Sequence, residues 1–212
     1  MFRDRVEAGR QLARLVAAAG LGDDRTVVLG LPRGGVPVAV QVSLTLDVPL
    51  DVIVVRKIGL PCQPELAVGA IGEDGVRVEN EEVVVSNSVR AADLAAMAER
   101  EGVELNRQAR RYRNDRPRLD LGGCCAVIVD DGIATGSTAR AACQVARAQG
   151  ASRIVFAVPV APTAAVAALQ DACDVVLCVA NPDPFFAVGE WYRDFSPTSD
   201  DEVNELLRRA QS

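Results

Sequence analysis

The chain has 212 residues, of which 29 are acidic and 23 basic, and it contains no histidine. The net charge of −6 gives no global positive field that would attract nucleic acid or anionic lipid. The absence of histidine excludes catalytic pairs that depend on an imidazole base and zinc sites that need histidine ligands.

The composition predicts one α/β domain over residues 1–212. Hydrophobic residues make up 49% of the chain and aromatic residues only 4%, which is typical of buried parallel strands flanked by helices. No apolar run reaches the length of a transmembrane helix, and no apolar signal segment is present. The cysteines lack Cys-x-x-Cys spacing and indicate reduced thiols in a cytoplasmic protein; they lie at positions 62, 124, 125, 143, 173 and 178.

The first 55 residues predict a helix followed by a βαβ unit. Apolar residues at helical spacing end at Gly20, and we interpret this helix as a lid. The segment Pro32-Arg33-Gly34-Gly35 predicts a turn between a strand and a helix. The predicted elements are a helix at 3–19, a strand at 26–31, a helix at 36–46 and a strand at 50–55.

The rest of the chain predicts three more buried strands, so the expected fold is an open, mostly parallel five-stranded sheet with flanking helices and a small hood. Glycine and proline make residues 56–82 irregular, and we interpret 57–82 as a mobile loop with a hairpin at Glu73-Asp74-Gly75. Ser199 to Glu202 form a capping box for a last helix, and residues 181–212 make the hood and this helix. The other predicted elements are a helix at 89–113, with Gly102 as a candidate interruption, and strands at 125–129, 153–158 and 175–179.

One segment, residues 127–138, carries the strongest functional signal. An apolar strand leads through Asp130 and Asp131 into a turn of small and hydroxyl residues that opens a helix. A helix N-terminus with free N–H groups suits a phosphate, and Gly136 allows the backbone to approach closely. The carboxylates indicate sugar hydroxyls as partners, with Mg²⁺ nearby. An ordinary capped strand-to-helix turn is the alternative.

These twelve residues resemble the phosphoribosyl pyrophosphate signature of type I phosphoribosyltransferases. The resemblance implies that Asp130 and Asp131 contact the ribose hydroxyls and hold Mg²⁺ through water. It also implies that a run of five residues wraps the 5-phosphate: Ala134, Thr135, Gly136, Ser137 and Thr138.

The same resemblance assigns pyrophosphate to two further segments. In this fold the turn after the first strand holds pyrophosphate, which here implicates Arg33, Gly34 and Gly35, although a plain tight turn explains the glycines equally well. Arg56 and Lys57 resemble the Arg-Lys pair that adenine and orotate phosphoribosyltransferases place against pyrophosphate. Lys57 is the chain's only lysine. A solvated strand end is the alternative for this pair.

The base and the remaining arginines give weaker signals. An aromatic-rich segment near the C-terminus faintly resembles the hood of hypoxanthine-guanine phosphoribosyltransferases, so Phe186 would stack on the base and Ala187 would offer backbone groups. Ala134 stands where oxopurine enzymes carry an aspartate, which leaves the base unidentified. For residues 110–113 a solvated basic helix end is favoured over phosphate contacts. Packing of the C-terminal helix is an equal alternative for Trp191, Tyr192 and Phe195.

The expected activity is transfer of the 5-phosphoribosyl group from phosphoribosyl pyrophosphate to a nitrogenous base, with a purine as one candidate, and release of pyrophosphate. Asp130, Asp131, Lys57 and Arg33 are the expected catalytic residues, and Mg²⁺ the expected cofactor. The expected partners are these small molecules and neither nucleic acid nor membrane, and a homodimer stays open. The alternatives are a non-catalytic regulatory protein that binds phosphoribosyl pyrophosphate or a nucleotide, a nucleotide hydrolase or phosphorylase, and a nucleic-acid binder that uses the arginines of 107–118.

Overall fold

The computed structural model describes residues 1–23, 25–60, 63–114 and 116–210, with the backbone alone for 63–65. The helices are α1 (Arg5–Ala18), α2 (Gly35–Leu46), α3 (Glu81–Ser86), α4 (Ala91–Arg113), α5 (Ser137–Ala148), α6 (Thr163–Ala167) and α7 (Asp200–Arg209). The strands are β1 (Thr26–Gly30), β2 (Leu50–Val52), β3 (Arg56–Leu60), β4 (Gln63–Ile71), β5 (Arg77–Glu79), β6 (Cys125–Val129), β7 (Arg153–Val160) and β8 (Val175–Ala180).

The central sheet has five strands in the order β2-β1-β6-β7-β8, and every pairing is parallel. This confirms the predicted five-stranded α/β fold, with an all-parallel sheet in place of a mostly parallel one. β1 and β6 are buried along their whole length because helices cover both faces. In β1, Val28 packs in the core beneath α1 and α2, whereas Val27 and Leu29 pack in the core beneath α5.

The register of the sheet places two candidate loops side by side. Gly30, the last residue of β1, pairs with Val129, the last residue of β6. The N–H of Leu31 continues the ladder by donating to the Val129 carbonyl at 2.8 Å. The turns that follow these strands therefore begin as neighbours at the carboxyl edge of the sheet, where open α/β sheets bind ligands.

Residues 56–82 correct the prediction of a long loop with one hairpin. They form a three-stranded antiparallel sheet in the order β3-β4-β5, which continues into α3. A one-turn 3-10 helix at Glu73–Gly75 joins β4 to β5 at the predicted hairpin. The β3–β4 pairing shifts register around Gly59, and this irregularity hid β3 from the sequence pattern. Pro61 and Cys62 lie outside the described residues.

The helix predicted at 89–113 is continuous through Gly102, from Ala91 to Arg113. Its last residue corrects the expectation of a solvated basic helix end, because the Arg113 side chain is only 5% exposed. Arg113 instead forms ion pairs with Asp51 of β2 and Glu73 of the 3-10 turn. These two carboxylates, contributed by distant segments, could not be assigned to Arg113 from local sequence. Arg111 follows the prediction more closely, since it is half exposed and pairs with Asp200.

The N-terminus and the segment before α7 form a small satellite core. Phe2 bridges to Tyr192, and the Phe2 N–H donates to the Trp191 carbonyl at 2.7 Å. Tyr192 stacks on Phe2 and Phe195 at ring-centroid distances of 5.4 and 5.0 Å. Tyr192, Trp191 and Phe195 therefore cluster with Phe2 and Ala8 of the N-terminal segment. None of the helices in the described part of the chain is both long and apolar enough to cross a bilayer.

Candidate active site

The floor of the site is formed by the turns after β1 and β6, which touch at two glycines. A Cβ atom added to Gly34 would overlap the Asp131 carboxylate, and one added to Gly35 would lie 2.5 Å from the Val129 carbonyl oxygen. Only glycine permits such an approach, so the sequence Gly34-Gly35 is required by packing at this edge. The Pro32–Arg33 peptide in the same turn is cis. The structure thus brings together the loops predicted to bind pyrophosphate and ribose.

The two carboxylates at the end of β6 have different surroundings. Asp130 Oδ1 accepts a hydrogen bond from the Asp131 N–H at 2.9 Å, which leaves Asp130 Oδ2 without a partner among the described residues. Asp131 Oδ2 accepts from Arg5 Nε at 2.8 Å. Burial, and then the neighbouring charge of Asp131, raise the pKa of Asp130 well above its usual range. The pair therefore favours a cation or hydrogen-bond donors in front of Asp130.

Arg5 is the site residue that the sequence analysis missed. It lies in the first turn of α1, and 126 positions separate it from Asp131, so no local motif connects the two. Its side chain is 12% exposed and that of Asp131 14%. Tyr192 adds a second link to Asp131, since its hydroxyl donates to the Asp131 carbonyl at 2.5 Å. The only signal available in sequence was an arginine at the start of an amphipathic helix.

The predicted phosphate loop has the geometry of an open helix N-terminus. Gly136 has φ of 77° and directly precedes α5, a conformation that favours glycine. Thr135, Ser137 and Thr138 are exposed, and no side chain caps the first N–H groups of α5. Lys57 Nζ lies 3.3 Å from Ser137 Oγ, which adds a positive charge to the loop. The structure therefore places Lys57 beside the predicted 5-phosphate loop, although the sequence analysis expected it against pyrophosphate.

The two arginines predicted for pyrophosphate contact acidic residues in this structure. Arg33 is half exposed and lies 3.7 Å from Asp200 at the start of α7. Arg56 pairs with Glu101 of α4 at 2.7 Å. Both pairs are partly exposed, and such pairs contribute little to stability. Either guanidinium can therefore move to a stronger anion at small energetic cost.

The segment predicted to bind the base lies next to Gly132, in the turn that connects β6 to the phosphate loop. A Cβ at Gly132 would lie 2.6 Å from Val188, so the segment before α7 rests on this loop. Phe186 is 76% exposed, and Ala187 is exposed in an extended conformation. A large exposed aromatic beside a loop of this kind has a free face on which a flat ring can stack.

The sequence matches a known protein family over most of its length. The family model described as a phosphoribosyl transferase domain matches residues 4–193. The chain belongs to the phosphoribosyl transferase family. The match includes both glycine-containing loops, the three-stranded sheet and the aromatic segment.

Relatives in this family support the assignment over the whole chain. Two Mycobacterium tuberculosis proteins, from strains CDC 1551 and H37Rv, are 57% identical over 210 residues, and their names give phosphoribosyl transferase as a provisional assignment. The match covers 99% of this chain and 47% of each of those proteins, so the chain spans about half the length of these relatives. The crystal structure of TT1426 from Thermus thermophilus is 42% identical, with a TM-score of 0.90 and coverage of 99% and 98% of the two chains.

A more distant fold match agrees. The AQ2163 protein of Aquifex aeolicus has a TM-score of 0.51 at 11% identity, and the match covers 96% of this chain and 84% of that one. At this identity the likeness concerns the fold alone.

Proposed function

We propose that the protein transfers the 5-phosphoribosyl group from phosphoribosyl pyrophosphate to a nitrogenous base and releases pyrophosphate. The observation that carries this proposal is the contact between the Gly34-Gly35 turn and the Asp130-Asp131 pair, next to an open helix N-terminus. The segments that we assign to a phosphate, a sugar and a second anion thereby adjoin at one edge of the sheet. That order matches the order of groups along phosphoribosyl pyrophosphate.

The 5-phosphate would bind at the start of α5. Ala134 to Thr138 supply backbone N–H groups and three hydroxyls, and the helix dipole favours a dianion there. Lys57, next to Ser137, would add one mobile charge to the phosphate. This contact supports a role for Lys57 in holding the sugar phosphate as well as the leaving group.

The ribose hydroxyls would bind to the acidic pair. Asp130 Oδ2 is free to accept from a hydroxyl group, and the pair lies between the phosphate loop and the Gly34 turn. A hydrated Mg²⁺ fits the same donor set, because carboxylate oxygens and water are its preferred ligands. The protein also places little positive charge near the Asp130 carboxylate to balance it. When bound, the ion would neutralise charge on the pyrophosphate leaving group. Asp130 would hold it through water, and the neighbouring Asp131 would add its negative charge.

The pyrophosphate would bind at the turn of Arg33, Gly34 and Gly35, with Arg33 turning from Asp200 to the leaving group. Arg56 would require a similar movement away from Glu101. The base nitrogen forms a bond to C1 while the C1–O bond to pyrophosphate breaks. Pyrophosphate leaves with the electron pair, and the proton that the nitrogen carried passes to water. The protein would assist by positioning and by stabilising the negative charge that develops on pyrophosphate.

The base would bind at the aromatic segment, where Phe186 offers its exposed face and Ala187 its backbone groups. Asn181 lies at the start of the same segment, and its amide donates to the Ala161 carbonyl at 3.2 Å. A flat heterocycle is the ligand class that this surface favours. Within that class the surface does not select one base.

One observation favours the regulatory alternative, in which the protein binds the sugar phosphate without turnover. The guanidinium groups of Arg33 and Arg56 are paired with Asp200 and Glu101, so each would have to leave its carboxylate to bind pyrophosphate. The phosphate loop and the acidic pair need no such movement. A protein with this arrangement could bind ribose 5-phosphate or a nucleotide without holding a leaving group.

The test is a panel of free purine and pyrimidine bases with Mg²⁺ and phosphoribosyl pyrophosphate, scored for pyrophosphate release. The control is the double variant Asp130→Asn, Asp131→Asn, which should abolish release. Release with at least one base supports the transferase. Tight binding of phosphoribosyl pyrophosphate without release from any base would favour the regulatory protein, and the absence of binding would contradict both.

A further inference from the structure

Arg5 makes three contacts, which join two parts of the candidate site. Its Nε donates to Asp131 Oδ2 at 2.8 Å, and its Nη1 donates to the Ser196 carbonyl at 2.8 Å. The guanidinium also stacks on Phe195, 4.1 Å from the ring centroid. Because the side chain is only 12% exposed, water screens these contacts poorly.

We propose that Arg5 is a positioning residue that couples the aromatic hood to the acidic pair and thereby assigns the two carboxylates different tasks. The part of the hood that this proposal concerns is residues 185–196. The inference rests on the proposed function, since it concerns how phosphoribosyl pyrophosphate is held.

Asp130 and Asp131 differ in how they are held. Asp131 Oδ2 is occupied by Arg5 and faces Gly34, so this carboxylate is fixed from two sides. Asp130 Oδ2 has no partner among the described residues. Asp130 is therefore the carboxylate that touches the ribose hydroxyls and the hydrated cation. Asp131 is the anion that keeps Arg5, and through Arg5 the hood, in place.

The hood holds the acidic pair by two routes. Tyr192 donates its hydroxyl to the Asp131 carbonyl at 2.5 Å, and Arg5 joins the Asp131 carboxylate to Ser196 and Phe195. The N-terminal segment supports both, because Phe2 exchanges backbone hydrogen bonds with Trp191 and Arg193 at 2.7 and 2.9 Å. A shift of the hood on ligand binding must therefore move Asp131, and a shift of Asp131 must move the hood.

Trp191, the chain's single tryptophan, lies within this hood and reports on it directly. With Mg²⁺ present, phosphoribosyl pyrophosphate should change the Trp191 emission of the wild-type protein, while calorimetry measures binding independently. Arg5→Met should weaken binding about tenfold, equivalent to about 1.4 kcal/mol, and should remove the change in emission even when the ligand is saturating. Arg14→Met is the matched control: Arg14 is an exposed arginine of the same helix, and this variant should behave as wild type.

A double-mutant cycle separates this role from a general effect on folding. If Arg5 acts through Asp131, the variant Arg5→Met, Asp131→Asn should bind about as weakly as either single variant, not about a hundredfold more weakly than wild type. Arg5→Lys keeps the charge but lacks the two separate nitrogens with which Arg5 bonds Asp131 and Ser196, so its affinity should fall between those of wild type and Arg5→Met. The Arg5→Lys variant also serves as the test if Arg5→Met does not fold.

Three results would overturn the inference. The first is additive losses in the cycle, and the second is a Trp191 response that persists in an Arg5→Met or Arg5→Lys protein that binds the ligand. The third is an Asp130→Asn variant that binds as wild type does. A wild-type protein that does not bind phosphoribosyl pyrophosphate in calorimetry would instead overturn the proposed function, and this inference with it.

Discussion

Arg113 donates from its Nε to both carboxylate oxygens of Asp51, at 2.7 and 3.0 Å, with both side chains 5% exposed. Arg113 also binds Glu73 through two nitrogens and donates to the Val52 carbonyl at 2.8 Å. Burial alone would lower the pKa of Arg113, but the bonds to Glu73 and the charges of Asp51 and Glu73 outweigh burial and raise it. One guanidinium thus ties β2, α4 and the three-stranded sheet together.

Removing Arg113 should therefore destabilise the protein strongly. Arg113→Met leaves two carboxylates buried without a counter-charge, and breaking a buried pair in this way costs about 3 to 5 kcal/mol. The measurement is denaturant unfolding at neutral pH. Arg110→Met, an exposed residue of the same helix end, should change the free energy of unfolding by less than about 0.5 kcal/mol. Equal effects of the two substitutions would contradict the structural role of Arg113.

The contact between the two loops of the site predicts a large effect of Gly34→Ala. The added Cβ would overlap the Asp131 carboxylate, so either the turn or Asp131 must move. We expect the affinity for phosphoribosyl pyrophosphate, measured by calorimetry, to fall at least about tenfold. Gly102→Ala is the control, because its Cβ would meet only Ile71 at 3.8 Å inside α4. It should leave affinity unchanged and stabilise the protein by about 0.5 to 1 kcal/mol. Unchanged affinity in Gly34→Ala would contradict the shared site.

The central sheet could be predicted because its strands are buried on both faces and appear as continuous apolar runs. Both ends of the strand Cys125–Val129 were predicted correctly, since a turn precedes it and a pair of carboxylates follows it. The strand Arg56–Leu60 was missed because it lies in a small antiparallel sheet with a register shift at Gly59. Its residues show neither a continuous apolar run nor regular alternation. Local pattern therefore identified the core of the fold but not the sheet beside it.

The site was predictable to the extent that it lies in contiguous segments. The loop from Asp130 to Thr138 is one continuous motif, and its open helix N-terminus follows from Gly136 and the residues after it. Arg5 was not predictable, because its partner is 126 positions away and the contact depends on how α1 packs. The orientation of Arg33 toward Asp200 was missed for the same reason. Long-range pairs of charged residues require the fold before they can be assigned.

Lys57 and Arg56 are neighbours in sequence but should differ in their effect on ligand binding. Lys57 Nζ lies at the phosphate loop, 3.3 Å from Ser137, whereas Arg56 is paired with Glu101. Lys57→Ala should weaken binding of phosphoribosyl pyrophosphate about tenfold, because it removes a charge next to the phosphate. Arg56→Ala should weaken it less. Titration calorimetry with phosphoribosyl pyrophosphate and with ribose 5-phosphate measures both effects. Unchanged binding by the Lys57 variant would refute its assignment.

Asp4 should make stability depend on pH at the start of α1, the turn that carries Arg5. Asp4 caps the helix by accepting from the Glu7 N–H at 2.8 Å, and this bond, then the Arg3 guanidinium, lower the pKa of Asp4. A carboxyl group with a lowered pKa in the folded state stabilises the protein above its unfolded pKa of about 3.9. That stabilisation is lost as the pH falls through the folded value.

The variant Asp4→Asn separates the charge of this cap from its hydrogen bond, because asparagine caps helices about as well as aspartate. At pH 7 the wild-type protein should be more stable than Asp4→Asn by about 0.3 to 1 kcal/mol, the usual contribution of a negative charge at a helix N-terminus. In urea unfolding at a series of pH values, this difference should shrink toward zero as the pH falls below about 4. A difference that stays constant with pH would show that the Asp4 charge does not stabilise α1.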